Sequence, residues 1–210
     1  MSEILDLLNG DLGKQIAKGI STQTGSDQGK TIDVLSMALP VLTGAMQRNA
    51  STPEGAAGLL GAITGKHDGG VLDNLDSFFE GGVDDEVITD GSGILGHVLG
   101  TRQNNVQNAL SKKSGLDSGT ISQILTIAAP ILLGYLGKQT KQKKINSQNE
   151  IGDLLNGLQG SKSAGKDQSF IESILDADGD GNVMDDIADM VSGGKKKGGL
   201  GGLLGGFFKK

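Results

Sequence analysis

The chain contains no cysteine and no tryptophan, and aromatic residues make up only 3% of its 210 positions. The missing thiols exclude a disulfide framework, a Cys-x-x-Cys redox pair and any cysteine-ligated zinc or iron–sulfur site. The scarcity of aromatic rings removes the stacking platforms on which single-strand binders rely. Positive charge is also in deficit. The formal net charge is −6, which disfavours a general nucleic-acid binder, since such a protein needs a basic face. No uninterrupted apolar run approaches the roughly 18–20 residues of a membrane span. The start of the chain, Met1-Ser2-Glu3-Ile4, lacks the basic segment of a signal peptide, so the expectation is a soluble cytoplasmic protein. No Ser/His/Asp order and no phosphate-binding glycine loop following a strand stands out, and the reading is that the protein is not an enzyme.

What the chain has in excess is glycine, 36 residues without the strict three-residue period of collagen. Part of the explanation is an internal repeat. Residues 4–44 align without a gap on 94–134, with 12 of 41 positions identical. Among them are Gly25/Gly115, Asp27/Asp117, Gly29/Gly119, Pro40/Pro130 and Gly44/Gly134. The correspondence resumes after a short insertion, where Gly58-Leu59-Leu60-Gly61 faces Asp153-Leu154-Leu155-Asn156. The chain reads as two copies of a unit of about 90 residues, each near the lower end of domain size, so the two are expected to share one core or a common interface.

Within each unit the apolar positions follow a helical period. Ile121, Ile124, Leu125, Ala128, Ile131 and Leu132 recur at i, i+3, i+4 and i+7, as do Val34, Leu35, Ala38, Leu42 and Ala45. Gly25 and Gly115 suit left-handed residues just past a helix, and Asp27 and Asp117 suit the N-caps of the helix that follows. Thr52-Pro53-Glu54 reads as cap, first-position proline and first-turn acid, and Ser147-x-x-Glu150 as a capping box. Pro40 and Pro130 fall inside the longest helix of each copy and predict a kink there. No segment shows sustained β-branched alternation, so the fold class is all-α. The predicted helices of the first copy span 3–9, 12–24, 28–48, 54–64 and 71–79. Those of the second span 93–99, 102–114, 118–138, 148–158, 168–175 and 185–191. The domain plan is a first helical repeat over 1–90, a second over 91–192, and a Gly/Leu/Lys-rich tail over 193–210. Glycine this dense cannot bury enough apolar surface to offset its backbone entropy, so the tail is expected to be flexible.

The sharpest chemical motif runs from Asp176 to Asp186 and opens as the Asp-x-Asp-x-Asp-Gly of an EF-hand loop. Calcium takes six to eight oxygens, and Asp176, Asp178 and Asp180 can converge on one ion because Gly181 permits the turn. Asn182 would offer its backbone carbonyl. The bidentate Glu expected at the twelfth position is absent, Ile187 standing there, and Asp185 or Asp186 would close a shortened loop. The competing reading is a solvated acidic turn, for which Asp and Gly are equally suited. Clustered carboxylates repel unless a cation neutralises them, which favours calcium.

Other polar residues receive plainer readings. His97 stands opposite Leu7 of the first copy and is read as a packing position, His67 as an exposed loop residue, and Asp84-Asp85-Glu86 as a solvated acidic turn. Lys138, Lys141, Lys143 and Lys144 read as a solvated helix end that complements the helix dipole, with anion or nucleic-acid contact as the alternative. In the tail, Leu200, Leu203, Leu204, Phe207 and Phe208 between lysines make a candidate for peripheral membrane contact or partner docking.

The run Gly93-Ile94-Leu95-Gly96-His97-Val98-Leu99-Gly100, then Ser114-Gly115-Leu116, then Leu125-Thr126-Ile127-Ala128-Ala129-Pro130-Ile131-Leu132-Leu133-Gly134-Tyr135-Leu136-Gly137, then Leu175 to Asp186, resembles the bacterial domain-of-unknown-function family 937, a relative of the YidB-like proteins. The likeness spans residues 4 to 191. It implies an all-α protein with no established activity, and the YidB-like relationship implies a homeodomain-like three-helix element, a fold-level hint of nucleic-acid binding. The functional expectation is a helical scaffold or protein-interaction module, with a protein partner and one calcium-binding loop. The alternatives are a nucleic-acid-associated protein using the lysines, and an enzyme with a site between the repeats. Calorimetric titration of calcium into the full chain is expected to show binding at millimolar calcium, weakened by Asp176→Ala combined with Asp180→Ala. Absence of binding in the unmodified protein would remove calcium from the account.

Overall fold

A computed structural model describes residues 3–159. The Asp176–Asp186 loop, the helices expected over 168–175 and 185–191, and the 193–210 tail lie outside the described residues. Among the described residues all regular structure is helical. The elements are α1 (Glu3–Asn9), α2 (Asp11–Thr24), α3 (Gln28–Asn49), α4 (Pro53–Thr64), α5 (Gly70–Asp73), α6 (Leu75–Phe79), α7 (Asp85–Leu99), a 3-10 turn (Gly100–Arg102), α8 (Gln103–Ser114), α9 (Ser118–Lys143) and α10 (Gln148–Gln159).

The helix boundaries follow local chemistry. α2 and α8 each end on a glycine in the left-handed region, Gly25 at φ 67° and Gly115 at φ 69°. An L side chain there is strained whatever the space around it. Two residues later Asp27 and Asp117 cap α3 and α9, accepting from the backbone N–H of Lys30 and Thr120, both at 3.0 Å. Asp117 also accepts from the Thr120 hydroxyl, and that bond leads the effects that hold its carboxyl below the usual range. Thr52 caps α4 through the Gly55 N–H. At α10 the Glu150 carboxylate accepts from the Asn146 and Ser147 N–H groups, both at 3.0 Å, which completes the capping box.

Several boundaries differ from the sequence reading. The helix expected over 71–79 is two short pieces, because Asn74 leaves helical geometry and donates its side-chain amide to the Gly70 carbonyl. The Asp84–Glu86 run is exposed as expected, but it is the start of a helix rather than a free turn. Asp84 N-caps α7, and Asp85 and Glu86 occupy its first turn, where the dipole favours negative charge. α7 therefore begins eight residues before the expected 93 and runs unbroken across residues 90 and 91. α9 continues past 138 to Lys143 and closes on Lys144 at φ 54°. α3 and α9 are continuous through Pro40 and Pro130.

α9 is the axis of the fold. Helices α2, α3, α4, α5, α7 and α8 all pack against it, and α10 lies across α1, α3 and α4. From Ile124 to Gly134 every residue of α9 is buried. Contrary to the expectation of no membrane-length apolar segment, this helix is long and apolar enough to cross a membrane, yet 72% of its most apolar window is buried by the rest of the protein. One hydrophobic cluster joins Ile20, Leu35, Leu42 and Met46 of the first half to Leu95, Leu110, Ile124 and Leu125 of the second. Each such side chain contributes about 1.5–3 kcal/mol through removal from water.

Two glycines set how closely the layers approach α9. A Cβ at Gly91 would meet the backbone carbonyl of Thr126, and one at Gly137 would meet the His67 carbonyl. Backbone cannot yield as a flexible side-chain end can. Gly91→Ala and Gly137→Ala are each expected to destabilise by about 1–3 kcal/mol, read as a lower midpoint of thermal or urea unfolding. An unchanged midpoint in both would show that these contacts do not set the spacing.

Candidate functional site

The densest polar cluster in the described structure lies where the segment between α4 and α6 crosses α7 and α9. Gly69, at φ 105°, and the close approach at Gly137 lay this segment against α9. Lys138 of α9 donates to Asp73 at 2.6 Å and Lys141 to Asp68 at 2.7 Å. The Lys141 bond, followed by the Gly70 N–H, holds the Asp68 carboxyl below its usual range. The lysine run read as a solvated helix end is thus partly a clamp. Lys141 and Lys143 do lie in the last helical turn, but Lys138 and Lys141 are bound to the first half of the chain.

On the other side of this segment, Lys66 contacts Asp90 of α7 at 3.1 Å and Glu86 at 3.7 Å. The hydrogen bond with Asp90 leads the effects that raise the Lys66 ammonium above its usual value. His67 Nε2 lies 3.3 Å from the second Asp90 oxygen. The expectation of an exposed loop histidine is overturned, since His67 is 9% exposed. Its backbone is pinned against Gly137, which turns the imidazole inward. Burial is the largest effect on the ring and pushes it below 6.5; the Asp90 carboxylate acts in the opposite direction, and Lys66 adds to the fall. The contact resembles an ion pair, but burial outweighs it, and the ring is neutral near pH 7.

His97 is likewise corrected. It is exposed, because Leu95, Val98 and Leu99 are the α7 residues of that turn that face the core. Its carbonyl, with that of Val98, accepts from the Asn49 side-chain amide at 3.0 and 3.3 Å, tying the end of α3 to the end of α7. Sequence reasoning missed this tie and the two arginines beside it. Arg48 is in the last turn of α3, and Arg102, 7% exposed, is in the 3-10 turn before α8. The overlooked signal was the pairing of Leu12 with Arg102 in the repeat alignment, an apolar position in one copy and a cation in the other.

Between α1, α2, α3 and α9 lies an apolar crevice lined by Leu7, Ile16, Leu39, Ile131 and Tyr135. Among the described residues no three His, Asp or Glu side chains gather to hold a metal. The calcium ligands Asp176, Asp178, Asp180, Asn182, Asp185 and Asp186 lie outside the described residues.

The family described as bacterial protein of unknown function (DUF937) matches residues 6–139. The match spans both halves of the repeat alignment and stops short of the Asp-rich loop, so it is shorter than the resemblance over 4–191. No curated protein matches the chain. No solved structure matches it.

The neutral, buried state of His67 has a pH consequence. The stability gained by keeping the ring unprotonated is present above the ordinary histidine value. It is lost as pH falls through the lowered one, because the unfolded chain takes up the proton first. The thermal midpoint of the wild type is expected to fall more than that of His67→Gln between about pH 7.5 and about pH 5. Parallel curves for the two proteins would refute the assignment.

Proposed function

We propose that this chain, which belongs to the DUF937 family of bacterial proteins of unknown function, is a helical scaffold that acts by binding another protein rather than by catalysis. The observation that carries this reading is a set of glycines that packing among the described residues does not require. At Gly58 and Gly61 of α4 and at Gly93 and Gly96 of α7, an added Cβ would meet nothing within 4 Å. All four are exposed and lie inside helices, where glycine is destabilising by roughly 0.5–1 kcal/mol relative to alanine. Each pair is spaced i, i+3, so its members share one helix face. A face kept free of side chains allows a partner helix to approach closely.

The scaffold is a tandem repeat in this proposal. The shared left-handed glycines and aspartate caps before α3 and α9 and the prolines inside both support it. A calcium-ordered loop at Asp176–Asp186 and a docking role for the 193–210 tail remain part of the proposal on sequence grounds. The nucleic-acid alternative loses support from the pairing of Lys138 with Asp73 and Lys141 with Asp68.

Gly58→Ala with Gly61→Ala is expected to raise stability by about 1–2 kcal/mol in total, since the sites are open and helical. Affinity capture with the full chain should then lose a partner when both glycines become leucine, with the circular-dichroism spectrum unchanged. Identical captured proteins for wild type and the leucine variant would defeat the reading.

A further inference from the structure

The two long helices, α3 and α9, correspond residue for residue in the repeat, yet one side of them is covered differently. On α9 the positions Thr126, Pro130, Gly134 and Gly137 are buried. Their counterparts on α3, Ser36, Pro40, Gly44 and Gln47, are only half-buried. Spaced i, i+4, i+8 and i+11, each set lies along one side of its helix. Beside it Ile127 of α9 is 3% exposed, while Met37 of α3 is half-buried.

The α9 side is covered by residues 65–91. An added Cβ at Gly137 would meet the His67 carbonyl, one at Gly134 would meet Val71, and one at Gly91 would meet the Thr126 carbonyl. That carbonyl stands four residues before Pro130, which has no N–H to offer it. The same segment is anchored on α2. A Cβ at Gly19 would meet the Phe79 ring, and the Gln23 amide bonds the Phe79 carbonyl and the Val83 N–H, both at 3.2 Å. On α3, Pro40 frees the Ser36 carbonyl in the same way.

The chain path points to what covers the α3 side. The fourth helix of each half crosses to the other: α4 packs on α9, and its counterpart α10 packs on α3. The chain leaving α4 continues along α9, so the chain leaving α10 at Gln159 starts from α3. Beyond Gln159, outside the described residues, the sequence repeats the covering segment. Ser77-Phe78-Phe79-Glu80 recurs as Ser169-Phe170-Ile171-Glu172, and Gly81-x-Val83-x-Asp85 as Gly181-x-Val183-x-Asp185.

We propose that residues 165–187 of this chain dock on the Ser36–Gln47 side of α3, as residues 65–91 dock on α9. Removal of Phe170, Ile171 and Met37 from water drives the docking. Asp176, Asp178 and Asp180 fall in the insertion between the two recurring stretches, and so form a loop held at both ends against the first half. The docked segment presupposes the tandem repeat, but neither partner binding nor the open glycine sides of α4 and α7.

The chain has no cysteine, so a single introduced thiol reports on one position. In the full chain, Phe170→Asp with Ile171→Asp is expected to speed maleimide labelling of a Met37→Cys thiol by about tenfold or more, because two buried apolar anchors are lost. An Ile127→Cys thiol on α9 should stay protected in the same background, which shows that the opening is local. Ser36→Cys carries the comparison should Met37→Cys fail to fold. A labelling rate at α3 unchanged by the two aspartates overturns the proposal. So does release of the Ile127→Cys thiol to the same degree, which would make the segment a support of the whole core. Protection of the α3 thiol that rises with protein concentration also overturns it, since a second copy would then be the cover. Any of these results would leave capture through the α4 glycines as a separate question.

Discussion

Helix α9 presents apolar side chains around most of its circumference, and water is kept from it only when other helices surround it. That requirement organises the rest of the chain. Ile121, Leu125, Leu132 and Leu136 would satisfy an amphipathic helix on a surface, but Ile127 and Ile131 point elsewhere around the axis and are also buried. Six helices from both halves meet this demand. Close approach then needs glycine where backbones meet, as at Gly91 against Thr126 and Gly137 against His67. The two halves thereby share one core, and α7 bridges the point where the repeat alignment would divide them.

Once α9 is enclosed, the polar groups around it must be accommodated at the seams. The segment between α4 and α6 carries Lys66, His67, Asp68 and Asp73 across the junction, and each finds a partner on α7 or α9. The exposed lysine pairs among them are individually weak. Their consequence is registration, since they hold the first half of the chain against the second on both sides of the buried His67. Where α3, α7 and α8 meet, the arrangement is different. Asn49 satisfies the end of α7 by donating to the His97 and Val98 carbonyls.

What was legible from the sequence was local. Gly25 and Gly115, Asp27 and Asp117, Thr52-Pro53 and Ser147-x-x-Glu150 mark helix ends through interactions within four residues of one another, and the structure places helix boundaries at each of them. The two histidines were misread because their environments depend on packing. His97 lies one residue from the core-facing Val98, and only the register of α7 on α9 turns it outward. His67 sits in a glycine-rich stretch that looks like an open loop, and only the absence of a side chain at Gly137 lets that stretch lie flat and buried.

Taken alone, the sequence determined the all-helical class, the caps, the repeated positions and the apolar stripe on each helix, because these depend on propensity, period and contacts a few residues long. The tertiary structure decided which glycines separate packed backbones and which face solvent, which lysines pair, and which histidine is buried. Those outcomes depend on how closely α9 is enclosed, and that distance is set by side chains far apart in the chain acting together.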